Sequence, residues 1–118
     1  MFAALEGWEN AVSGFSSSPS FHDAEVEVME FASEGRILLR LQTAALSSPQ
    51  KKQRATTLTF TFWAIHAVSL NGWADRNIIF DLTCRTVESG LLQIEIDGSV
   101  GLSAHIECER GSVRVGAS

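Results

Sequence analysis

Thr57-Leu58-Thr59-Phe60-Thr61-Phe62 alternates a hydroxyl with a large apolar side chain at every step, and Trp63-Ala64-Ile65 carries the run onward. Successive side chains of a strand point to opposite faces, so Leu58, Phe60 and Phe62 share one side of a sheet and Thr57, Thr59 and Thr61 the other. β-Branched and aromatic residues suit a half-buried pleated surface. The stretch predicts a strand over 57–65, apolar face inward and threonine face in water.

The same period of two spreads outward from it. Leu92, Ile94 and Ile96 oppose Gln93, Glu95 and Asp97, and further alternating runs predict strands over 24–31, 36–43, 78–86, 91–97 and 103–109, with a short seventh at 112–115. Ser33-Glu34-Gly35, Asn71-Gly72, Ser89-Gly90, Gly98 to Gly101 and Gly111 supply the turn residues between them. Closing the first hairpin over Ala32 to Gly35 pairs Phe31 with Arg36, Met29 with Leu38, Glu27 with Arg40 and Glu25 with Gln42. Its other face, Val26, Val28, Ile37, Leu39 and Leu41, is then aliphatic and belongs in the core. Upstream, Phe2, Leu5, Trp8 and Val12 recur at three- and four-residue intervals and predict one amphipathic helix over about 2–13, ending before Ser16 to Ser20 and Pro19. The expected fold is mainly β (α+β): an antiparallel meander of six or seven strands curled into a sandwich or open barrel behind one short helix, in a single domain over 1–118.

The chain has 118 residues, 45 % of them hydrophobic and 19 % charged, enough to bury a core. A formal charge of −5 repels phosphate backbones and favours basic partners, which disfavours nucleic acid. Glu6 and Glu9 stand where a signal peptide needs positive charge, and no apolar run is long enough to span a bilayer, so a cytoplasmic protein is expected. Cys84 and Cys108 lie in alternating runs without a C-x-x-C spacing and read as buried reduced thiols. The linker Thr43 to Ala55 carries Lys51, Lys52 and Arg54 and reads as a solvated loop.

Catalysis finds little to work with. His22, His66 and His105 belong to no recognised catalytic or metal-binding spacing, so no enzyme activity, cofactor or metal is expected. In His22-Asp23, neighbouring strand residues should point apart, which leaves a hydrogen bond to backbone as their role at the entry to the first strand.

Two stretches carry a family resemblance. Pro19-Ser20-Phe21-His22-Asp23-Ala24-Glu25-Val26 resembles the amino-terminal signature of immunity protein family 50 of bacterial polymorphic toxin systems, and Gly101-Leu102-Ser103-Ala104-His105-Ile106-Glu107-Cys108 its ending, with Ala104 where the family pattern has Gly. Asn77 to Leu82 also fits. The resemblance implies a non-catalytic protein that binds a cognate toxin, with Phe21, His22, Asp23, Glu25, Gly101 and Leu102 acting as scaffold. An acidic domain suits a basic toxin. Glu95 and Asp97 share one outward face and Glu107 and Glu109 another, so a hairpin of 91–97 with 103–109 would gather four carboxylates into a partner-binding patch. The other reading is a homodimer or larger self-assembly through wet faces or strand edges.

Overall fold

The computed structural model describes residues 2–13, 21–45 and 54–116. Among these the alternating runs form β1 (Glu25–Ala32), β2 (Arg36–Ala45), β3 (Arg54–Asn71), β4 (Ile78–Thr86), β5 (Leu92–Val100) and β6 (Ser103–Val115). All pairings between these strands are antiparallel, in the order β1-β2-β3-β6-β5-β4, and β4 returns to β1 to close a ring. Two three-stranded meanders, β1-β2-β3 and β4-β5-β6, are thus joined along β3 and β6. Closure is narrow. It rests on Glu25 opposite Ile78, with Ile79 N–H donating to Ala24 O and Val26 N–H to Asn77 O, both at 2.8 Å.

Inside the ring lie Leu58, Phe60 and Phe62 of β3, as their alternation requires, with Ile37, Leu39, Leu41, Ile94, Ile96 and Ile106 around them. Cys84 and Cys108 are buried among these as free thiols. Burial pushes both thiols up, Cys108 to about 11 with the charge of Cys84 as a second cause. Thr59 departs from expectation: it faces outward yet is buried, in register between Arg40 and Arg114, and its hydroxyl is satisfied by donating to Gly116 O at 2.5 Å.

The expected single helix is broken. A 3-10 turn covers Phe2–Ala4 and α1 covers only Trp8–Val12. Between them Glu6 pairs in parallel with Ser112: its N–H donates to Gly111 O and its carbonyl accepts from Val113 N–H, both at 2.9 Å. Gly7 then turns the chain at φ 82, a left-handed conformation that residues with a side chain adopt only with strain. Bonds to β6 replace the helical ones, but the apolar face survives. Leu5 is buried, Phe2 stacks on Trp8 at 4.7 Å, and Phe21 bridges this pair to Phe60 of the core. The short seventh strand is the end of β6, which runs through Gly111 instead of turning there. A Cβ on Gly111 would sit 2.7 Å from Leu5 Cδ2.

The first hairpin also departs by one residue. Phe31 faces Ile37, Met29 faces Leu39 and Val28 faces Arg40, until a bulge at Glu27 restores Glu25 opposite Gln42. A bulge exchanges the two faces of a strand. Met29 therefore packs on the core where Val28 was expected, and Glu27 accepts from the Gln42 amide at 3.1 Å instead of meeting Arg40. The loop carrying Lys51 and Lys52 lies outside the described residues, as do Pro19 and Ser20 of the signature.

Candidate functional site

Near its middle β3 is bent by a second bulge. Ala64 has φ 55, and the register with β6 shifts between Ile65 and Ala67. Beyond this point the outer faces of β3, β6, β5 and β4 form one surface in rows. Ser69, His105, Glu95 and Thr83 make one row; Ala67, Glu107, Gln93 and Arg85 make the next; Asp97 opposes Asp81. Ser69, Asn71, Glu95, Asp97, Ser103 and His105 border a shallow depression of about 410 Å³.

His105 organises the acids. Its Nδ1–H donates to Glu95 Oε1 at 2.6 Å and its Nε2–H to Glu107 Oε2 at 2.7 Å. A ring donating from both nitrogens is the imidazolium, and the hydrogen bond to Glu107, then that to Glu95, raise its pKa above the ordinary 6.5. With both nitrogens engaged it has no lone pair for a metal, and among the described residues no group of three or more His, Cys, Asp or Glu is arranged to hold one. Glu95, Asp97 and Glu107 therefore share one face. Glu109 does not join them: it accepts from His66 Nε2–H at 2.8 Å, beside the bulge.

The motif residues lie elsewhere and hold the ring closed. Phe21 is buried in the aromatic cluster. His22 Nδ1–H donates to Phe80 O at 3.1 Å, the backbone role expected for it, and its ring lies edge-on to Phe80. Its Nε2 also comes within 3.7 Å of Asp23 Oδ1, against the expectation that the two point apart. Asp23 has φ 66, so strand alternation does not apply there. Glu25 meets Arg76 at 3.5 Å. Asn77, which composition and spacing did not single out, is the hub. Its buried Oδ1 accepts from Ala74 N–H at 3.0 Å and Leu102 N–H at 2.9 Å, while its Nδ2 donates to Ala74 O. Gly101, at φ 80, passes so close that a Cβ would lie 2.4 Å from Asn77 Oδ1. A lone amide at a strand entrance signals such a hub only when its buried partners are known.

Sequence reading also missed a second charged face. On the near side of the bulge Arg40, Thr59 and Arg114 are in register across β2, β3 and β6, as are Leu38, Thr61 and Ser112. Arg110 lies over the Trp63 ring at 4.7 Å. Arg36, Leu38, Thr61, Trp63, Ser112 and Arg114 line a depression of about 280 Å³. Arg36, Arg40, Arg110 and Arg114 thus gather on the near side of the bulge, while Glu95, Asp97 and Glu107 lie beyond it with Arg85 at the end of their row.

Among the described residues no helix is long and apolar enough to cross a membrane. Neither curated proteins nor solved structures include a match to the chain. A family model does match, over residues 8–115, and it takes in the Asn77 hub, the Gly101-Leu102 corner and all six strands: the chain belongs to the Immunity protein 50 family.

Proposed function

We propose that this protein is a non-catalytic, cytoplasmic immunity protein that neutralises a cognate toxin by binding it, and that the contact face is the outer surface carrying Glu95, Asp97 and Glu107. Family membership supports the class. The observation that supports the face is the chain of Glu95, His105 and Glu107 beside the opposed Asp81 and Asp97, a fixed array of carboxylates around a ring that both anchors and partly neutralises them. Among the described residues no ion pair engages Asp97. Charge of this kind sets the rate of encounter more than final affinity.

The test is co-expression with a candidate cognate toxin domain. Growth should be rescued by the wild-type protein, and stopped-flow association should slow as salt rises, since exposed charges are screened beyond about 8 Å at physiological ionic strength. Glu95→Lys with Glu107→Lys should lower the association rate by about tenfold or more while melting temperature stays near wild type. A salt-insensitive rate, unchanged in the double variant, places the contact elsewhere.

A further inference from the structure

β2 pairs with β3 only as far as Ile37 opposite Phe62, whereas β3 continues to Asn71. Past the bulge, β3 is bonded to β6 on one side, and no strand among the described residues pairs with it on the other. Residues 66–71 therefore offer a row of backbone donors and acceptors to an incoming strand. Natural sheets guard such edges with lysine, proline or inward charges. Ala64-Ile65-His66-Ala67-Val68-Ser69-Leu70-Asn71 contains no proline and no Asp, Glu, Lys or Arg.

The two faces of this edge differ in chemistry. Val68 and Leu70 lie opposite the buried Ile106 and Ala104, yet are 44 % and 43 % exposed because no described residue covers them. Val68 also lines a small apolar groove with Ile65 and the exposed Phe31 of the hairpin tip. On the other face, Ser69 and Asn71 border the acidic depression, with His105 one strand away and Glu95 two.

We infer that residues 66–71 of β3 are a strand-addition site for an extended segment of the partner protein in which apolar and basic residues alternate. The backbone edge selects an extended chain, the inward side selects apolar residues at every second position, and the outward side selects basic residues between them. A second copy fits less well. Twofold pairing of β3 with β3 would lay two acidic faces side by side on one continuous sheet, like charge against like. The inference rests on the toxin-binding reading and specifies the shape of what is bound.

The probe is a capped peptide of about eight residues alternating lysine and valine, compared with a peptide of the same composition in two blocks. Fluorescence anisotropy at physiological salt should show the alternating peptide binding about tenfold more tightly, a difference of about 1.4 kcal/mol. Amide hydrogen exchange should slow at residues 66–71 when it binds. Val68→Lys with Leu70→Lys should abolish the preference without changing the melting temperature. Equal affinity for the two peptides, or binding without protection at 66–71, overturns the inference. So does protection of 66–71 in the protein alone with a concentration-dependent mass, which would give the edge to a second copy. Growth rescue is read separately. A protein that neutralises its toxin with the Val68, Leu70 double variant as well as with wild type defeats this inference alone; one that never neutralises defeats the toxin-binding reading.

Discussion

β6 and β3 both outrun a neighbour, and the spare edge of each is treated differently. β5 leaves β6 after Leu92 opposite Cys108, and the exposed side of β6 is taken up by Glu6, bonded to Gly111 and Val113. β2 leaves β3 after Phe62, and no described residue takes the vacated side. The covered edge stands over the aromatic cluster of Phe2, Trp8, Phe21 and Phe60; the open one borders the carboxylates. An edge next to the core must be sealed, because unpaired backbone groups there lose water without gaining a partner. An edge at the rim keeps its water until another chain replaces it. Among the described residues, of these two edges only that of β6 is capped.

Four substitutions probe this contrast. Phe21→Ala should have the largest effect, since it removes the ring that ties the N-terminal segment to Phe60, and urea denaturation should show a loss of about 3–5 kcal/mol. Gly7→Ala attacks the covered edge directly. Left-handed backbone for a residue with a side chain costs about 1–3 kcal/mol, and the added Cβ would press on Val113 O at 2.6 Å. Faster amide exchange at Val113 should accompany the loss; protection unchanged at Val113 would show that Glu6 is not what seals β6. At the open edge Val68→Lys should shift stability by no more than about 0.5 kcal/mol, as surface substitutions usually do. A loss above about 2 kcal/mol would mean that the edge is covered after all.

The smallest effect belongs to His105. Its pKa is raised in the folded protein, so its contribution to stability is present in full below the unfolded value near 6.5 and is lost as pH rises through the higher folded value. Relative to His105→Gln, wild type should be more stable at acidic pH, with the advantage fading upward from 6.5. Chemical denaturation at stepped pH checks this. An advantage that grows with pH would mean that the ring is held neutral and the acids are arranged by other contacts.

Alternation and turn residues sufficed to place β4 at 78–86 to the residue and the inner faces of β3 and β5, because a strand's two faces follow from its own backbone. They also placed Glu95, Asp97 and Glu107 outward, with His105 beside Glu107. The departures occur at Glu27, at Ala64 to His66, at Ile78 to Asp81 and at Asp23, where a bulge or a positive φ interrupts the alternation. Glu109, two residues beyond Glu107 on β6, is held instead by His66 at the β3 bulge.

What the sequence determined by itself was therefore whatever repeats within a strand: the β class, the core face, the turns and the outward acids. Tertiary structure alone decided that β3 pairs with β6, that Glu6 leaves a helix to bond β6, that Asn77 closes the corner at Leu102, and that no described strand pairs with one edge of β3 beyond Phe62. These are pairings between segments far apart in the chain. Their stability depends on how two surfaces fit and on which backbone groups remain unpaired, and neither is written in the period of either segment.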